Sequence, residues 1–334
     1  MVRISWFREL CTGIVLCAPA VLAASLQKVT DKLANNPTNV GFYIYVPDQL
    51  PAKPPIVVNP HACHGSAQTA FTGSQFAALS SKHGYIVIYP DAPHPADHCW
   101  DVSSRQTLTH NGGGDSLGIV AMVNWTLAKY GADAGRVFAT GVSSGAMMTS
   151  TLLGTYPDVF AAGSAFSGVP FGCFAAPAAA QNTSQAFDYW NDSCAKGKTQ
   201  HAGADWAALV RDAFPGYDGW RPKVQIFHGT ADETLDYTDF KEEVKQWNAV
   251  FGFDAAPTTT TPNTPLPGWT KTVYGAAADD WFEAYSAAGV PHNIPIEEAV
   301  TLAWFDLACT GSGCFKWGQG GPARNGSAVT ASKT

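Results

Sequence analysis

The apolar positions of this chain follow two different spacings. Short, nearly continuous runs rich in β-branched and aromatic residues predict strands at Gly41–Val46 (GFYIYV), Pro55–Asn59 (PIVVN), Tyr85–Tyr89 (YIVIY), Arg136–Thr140 (RVFAT) and Lys223–His228 (KVQIFH). Between them lie helix-length segments, Thr69–His83, Leu117–Tyr130, Ala146–Tyr156 and Tyr237–Phe251. A strand that is apolar throughout is buried on both faces, and strands separated by helices pair in parallel. The pattern predicts an α/β protein with a mostly parallel central sheet and helices on both faces. No internal repeat is visible.

The two ends depart from this pattern. Arg3 and Arg8 precede an apolar segment, Leu10–Ala23, and Val21 and Ala23 occupy the small-residue positions before a cleavage site. Residues 1–23 read as a secretory signal peptide, too short and too interrupted by Pro19 to span a bilayer comfortably. Its removal takes away Arg3, Arg8 and Glu9 and moves the net charge from −7 to −8. The body, 24–308, is expected to be one catalytic domain. The tail, 309–334, is rich in Gly, Ser and Ala from Gly311 onward and is expected to be mobile.

Composition narrows the function. Of 334 residues, 46% are hydrophobic and 14% charged, which excludes a disordered chain. The negative charge and the lack of a basic patch argue against a nucleic-acid partner. No segment beyond the leader is apolar enough to span a membrane, and the protein is expected to act as a monomer. Six cysteines remain in the mature chain, Cys63, Cys99, Cys173, Cys194, Cys309 and Cys314. An even number in an oxidising compartment suggests three disulfides. Sequons at Asn124, Asn182, Asn191 and Asn325 suit the same compartment.

Candidate chemistry starts at Gly141–Met148, GVSSGAMM, which follows one predicted strand and precedes a predicted helix. A nucleophile elbow turns too sharply to accept side chains two residues either side of its serine, hence G-x-S-x-G. Gly141, Ser143 and Gly145 fit that frame. Centring it on Ser144 would require glycine at Val142 and Ala146. Ser143 is therefore the candidate nucleophile. A serine hydroxyl needs a histidine base and an acid to orient it, and with this elbow the acid precedes the histidine in the chain. Asp232 lies just past the predicted strand 223–228, at the sheet edge where such groups collect, and His292 is the histidine beyond it. His201 precedes that acid, and His228 reads as structural. Asp218, Asp236 and Asp239 are alternative acids. Because these residues straddle the Thr/Pro-rich stretch Ala256–Gly268, that stretch reads as a surface loop rather than a linker. An oxyanion would be met by the backbone N–H of Ser144 and by that of Cys63, in the loop after an early strand. A zinc site from His61, His64, His94, His98, Cys63 and Cys99 is a competing reading. Its loose spacing in a chain of secreted type counts against it, so no metal or other cofactor is expected.

The motifs Cys99–Ser104 (CWDVSS), Thr109–Ser116, Gly141–Met148, Ser167–Cys173 (SGVPFGC), Phe214–Asp232 and Gly289–Pro295 (GVPHNIP) together resemble fungal acetylxylan esterases of carbohydrate esterase family 1, relatives of feruloyl esterases and polyhydroxybutyrate depolymerases. The resemblance covers about residues 28–308. It implies an α/β-hydrolase fold without a metal and removal of acetyl groups from acetylated xylan, in keeping with the secretion read from the leader. Its nucleophile, acid and base motifs fall on Ser143, Asp232 and His292. His61-Ala62-Cys63 stands where the family has His-Gly-Cys, and Ala175–Cys194 is longer than usual and is expected to reshape one wall of the cleft. Trp100 and Trp190 are candidate sugar-stacking residues, with loop anchoring the competing role for Trp100. A feruloyl esterase and a catalytically silent carbohydrate-binding protein are the alternative functions.

The expected disulfides are Cys63–Cys99, Cys173–Cys194 and Cys309–Cys314. The first would join loops leaving neighbouring parallel strands at one sheet edge, and the second would close the polar insertion. The third follows by elimination.

Overall fold

The computed structural model describes residues 24–181, 187, 189–275 and 280–322; the expected signal peptide, residues 1–23, lies outside them. Ten strands form one sheet: β1 (Gln27–Lys28), β2 (Gly41–Tyr45), β3 (Ile56–Val58), β4 (Ile86–Asp91), β5 (Val137–Val142), β6 (Ala162–Phe166), β7 (Lys223–Gly229), β8 (Thr259–Pro262), β9 (Trp269–Tyr274) and β10 (Phe282–Ala287). Their spatial order is β1-β2-β4-β3-β5-β6-β7-β10-β9-β8. The six central strands, β4 to β10 in that order, run parallel, and the outer pairs β1–β2, β2–β4, β10–β9 and β9–β8 are antiparallel. This is the α/β-hydrolase arrangement in a single domain.

Adjacent residues of the central strands serve opposite faces. Ala165, Ile226 and Ala284 belong to the main core, whereas their neighbours Phe166, Phe227 and Tyr285 pack with Trp269 and Ile294 in a second cluster. Both faces are therefore covered, which is why these strands carry no polar alternation.

Among the described residues there are eight helices: α1 (Ala67–Thr72), α2 (Phe76–His83), α3 (Gly114–Tyr130), α4 (Ser144–Thr155), α5 (Asp192–Ala195), α6 (Gly203–Asp212), α7 (Tyr237–Phe251) and α8 (Glu298–Trp304). The helix expected over 69–83 is split, because the Gly73 amide already closes α1 on Thr69 O and the Ser74 hydroxyl folds back onto Ala70 O. The α7 boundaries match the sequence pattern: the Asp236 side chain accepts the Thr238 amide, and Gly252 closes the helix at φ 74°. Helix α4 lies on β5 and β6. It sits so close to β6 that a Cβ at Gly163 would fall 2.4 Å from Leu153 Cδ1.

Two expectations about loops need correction. Part of Ala256–Gly268 is not loop: Thr259–Pro262 adds an exposed antiparallel edge strand to β9. The tail is not free over its first part. Trp317 donates from Nε1 to Pro157 O, packs 5.4 Å from Trp220, and Trp220 in turn donates to Gly320 O. Aromatic anchors override the Gly/Ser composition up to about residue 322; residues 323–334 lie outside the described part.

Candidate active site

Ser143 stands between the end of β5 and the start of α4 with φ 56° and ψ −121°, a conformation that L-residues adopt only under constraint. The turn is held by Ser143 N donating to Phe166 O at 2.9 Å and by Met147 N donating to Ser143 O at 3.0 Å. A Cβ at Gly141 would lie 2.5 Å from Gly145 O, and one at Gly145 only 2.1 Å from Pro60 O. Both glycines are thus required by backbone approach, as the sequence frame implied.

Asp232 lies in the loop after β7 and His292 in the loop after β10. Those strands are parallel neighbours, so their C-terminal loops meet at one edge. His292 Nε2 is 2.9 Å from Ser143 Oγ, and His292 Nδ1 is 2.8 Å from Asp232 Oδ2. The Asp232 carboxylate is also met by the amides of Thr234 and Leu235 at 2.9 and 2.8 Å, both on Oδ1. Fully buried His228 places its Nε2 3.1 Å from Asp232 Oδ2. Burial by itself raises the Asp232 pKa, but the hydrogen bonds from His228, His292 and the Leu235 amide outweigh it and hold the carboxyl well below its usual range. An ionised carboxylate on Nδ1 keeps a proton there and leaves Nε2 free to accept one from the serine, which is the arrangement general-base activation needs.

The alternative residues have other tasks. Asp236 caps α7, Asp239 is buried on the same helix, and Asp218 is exposed. His201 packs edge-on against Trp206. Four of the six residues of the zinc reading are engaged elsewhere. Cys63 and Cys99 are bonded to each other, His61 is tied to Ala62 O and the Ala92 amide, and His94 pairs with Asp115.

A cleft of about 550 Å³ opens on Ser143 and His292. Ala62, Cys63 and Ser144 line it along with Met147, Phe174, Phe187, Tyr189, Trp190 and Leu235. Phe187, Tyr189 and Trp190 come from the long segment Ala175–Cys194, so that segment does form part of the cleft wall. Trp190 is 49% exposed, stands edge-on to Phe174 and donates to Asp192. Trp100 borders the cleft but is 3% exposed, and its Nε1 donates to His61 O at 2.8 Å. Of the two roles weighed for Trp100, anchoring is the one its surroundings favour.

The disulfides are Cys63–Cys99, Cys173–Cys194 and Cys309–Cys314. Asn124 is exposed on α3. Asn191 uses its side chain to cap α5 and to reach Cys173 O. Asn182 and Asn325 lie outside the described residues. Two contacts escaped sequence reasoning. One is His228 on Asp232, for which the i,i+4 spacing of a histidine and an acid was the available signal. The other is the Ser144 hydroxyl, which accepts the Trp100 amide at 2.8 Å and for which no local signal exists. No helix of the described residues is long and apolar enough to cross a membrane.

The profile of the family described as Esterase PHB depolymerase matches residues 40–256. Acetylxylan esterase A of Emericella nidulans is 45% identical over 88% of this chain and 93% of its own. Feruloyl esterase B of Talaromyces stipitatus is likewise 45% identical, over 86% of this chain and 78% of its own. Among solved structures, the acetyl xylan esterase from Aspergillus awamori superposes with a TM-score of 0.80 at 47% identity, covering 85% of this chain and all of that one.

Proposed function

The chain belongs to the PHB-depolymerase esterase family, and from that premise we propose that it is a secreted serine esterase that removes acetyl groups from acetylated xylan. The observation that carries the reading is the chain of hydrogen bonds from Asp232 through His292 to a serine held on a strained turn. The relatives named acetylxylan esterase supply the substrate class.

In this reading His292 Nε2 takes the proton of Ser143 as Oγ attacks the acetyl carbonyl. The tetrahedral oxygen is received by the backbone N–H groups of Ser144 and Cys63, both bordering the cleft. As the bond from the acetyl carbon to the sugar oxygen breaks, His292 gives that proton to the departing oxygen, so the sugar leaves as an alcohol and the acetyl group stays on Ser143. Water, activated by the same imidazole, then releases acetate. Asp232 holds the Nδ1 tautomer and stabilises the imidazolium. Trp190 is the stacking surface for a xylose ring. Export with removal of residues 1–23 and glycosylation of exposed Asn124 belong to the same proposal.

A second reading rests on the relatives named feruloyl esterase B and on the aromatic wall of Phe174, Phe187 and Tyr189, which would suit an aromatic acyl group. Acetate release from acetylated xylan, measured beside ferulate release from feruloylated xylan, separates the two. The proposal expects acetate release to dominate. Faster ferulate release would give precedence to the second reading.

A further inference from the structure

The doubled serine of the elbow has a structural counterpart that the acyl-transfer scheme does not use. Ser144 is 2% exposed, and its Oγ accepts the Trp100 backbone amide at 2.8 Å. The indole of that same residue donates to His61 O at 2.8 Å, two residues before Cys63. Cys63 is in turn covalently joined to Cys99, which immediately precedes Trp100. A closed loop of contacts therefore runs from the Ser144 hydroxyl, through Trp100 and His61, to the Cys63 backbone and back through the disulfide. On the other side, Gly145 is packed against the carbonyls of Pro60 and His61 with no room for a Cβ.

We propose that the Ser144 side chain is a positioning residue: its hydroxyl holds the Trp100 loop so that the Cys63 amide stays at the height where the tetrahedral oxygen forms. The proposal rests on the esterase reading above. Ser144 would then act twice, donating to the oxyanion from its own amide and fixing the second donor through its side chain. Both ends of the hydroxyl–amide bond are buried, so in Ser144→Ala the Trp100 amide has no partner there and water does not readily replace one. The loop must shift to satisfy it, and the Cys63 amide moves with the loop. Outright loss of one oxyanion donor costs on the order of 100- to 1000-fold in kcat; displacement of one by a fraction of an ångström is expected to cost about tenfold.

The test compares 4-nitrophenyl acetate with the corresponding thionoacetate, whose developing charge lies on sulfur and draws little from a hole shaped for oxygen. Ser144→Ala should lower kcat on the oxygen ester about tenfold with KM within about twofold, and should shrink the oxygen-to-sulfur rate ratio by a similar factor. Trp100→Phe keeps an aromatic ring but lacks the indole N–H and so breaks the link to His61, and should shrink the ratio in the same way; it serves as a second probe if Ser144→Ala folds poorly. Ser144→Thr, which retains a hydroxyl, should recover most of the ratio. An unchanged kcat and ratio in both Ser144→Ala and Trp100→Phe would overturn the proposal. So would equal losses on both esters, which a merely structural role predicts. Ser143→Ala, measured alongside, keeps the two readings apart: if it is inactive while Ser144→Ala is unaffected, the esterase stands and only the positioning role falls.

Discussion

Replacing Gly145 by alanine sets two effects of opposite sign against each other. Gly145 lies in the first turn of α4, where alanine is favoured over glycine by about 1 kcal/mol of helix propensity. Against this, the new Cβ would stand 2.1 Å from Pro60 O and 2.9 Å from His61 O. An ordinary contact begins near 3.4 Å, so the two backbones must separate by roughly 1.3 Å. Neither obstacle is a side chain that can swing aside, and overpacking of this kind costs about 1–3 kcal/mol. Sterics should outweigh propensity. The larger effect is on geometry. Ser143 Oγ sits 2.9 Å from His292 Nε2, and a shift of about 1 Å in the elbow lengthens that contact beyond hydrogen-bonding range. Misplacement of that size costs about 100-fold in rate. We therefore expect Gly145→Ala to lower kcat/KM on 4-nitrophenyl acetate at least about 100-fold, with a lower Tm. Gly313→Ala, where a Cβ meets nothing within 4 Å, should match wild type. Activity of Gly145→Ala within about twofold of wild type, with an unchanged Tm, would refute the claim that close backbone approach fixes the elbow.

Three further outcomes are expected. Burial, with help from Asp236, Asp232 and Glu242, pushes the Asp239 carboxyl up to about 8. Between about pH 4, where an unfolded aspartate ionises, and pH 8 the folded state binds the extra proton, so stability falls as pH rises, by about 1.4 kcal/mol per pH unit at most. Asp239→Asn should consequently gain Tm relative to wild type at pH 9 but not at pH 4; equal differences at both would contradict it. Asp232 is depressed instead, so the stability it contributes is present above about pH 4 and is lost as pH falls below that. His228→Leu removes one of its donors and should shift the loss of Tm on acidification to higher pH, an effect visible in parallel thermal melts. Cys173→Ala with Cys194→Ala opens a loop spanning 21 positions and should cost about 3 kcal/mol in denaturant titration; a cost below about 0.5 kcal/mol would show that the chain-entropy argument fails for this loop.

What was legible in the sequence follows from what is local. The glycine frame of Ser143 could be read because it is a steric rule over five residues, and Asp232 and His292 followed from chain order and strand ends. Strands β2 to β5 and β7 showed as apolar runs. Strand β6, AGSAF, did not, because α4 presses so closely on it that small residues are required and the hydrophobic signal disappears. Strand β10 was hidden by Glu283 and Ser286, whose polar groups meet Gln225 on the neighbouring strand β7 and Tyr237 at the start of α7. The Thr/Pro stretch concealed an edge strand because its exposed face asks for no apolar residue. In the tail, a few aromatic anchors outweighed a flexible composition. His228 on Asp232 lay within an i,i+4 window of sequence, whereas Ser144 on Trp100 depends on where two separate loops meet, which no window of sequence contains.

The central claim is that Ser143 is the nucleophile, and the most direct measurement is covalent capture. Wild-type protein incubated with an aryl organophosphonate ester, then digested and mapped by mass spectrometry, should carry one phosphonyl adduct, on Ser143, with activity lost in proportion to labelling. Labelling of Ser144 or of any residue outside the cleft, or full esterase activity with Ser143 completely modified, would contradict the account.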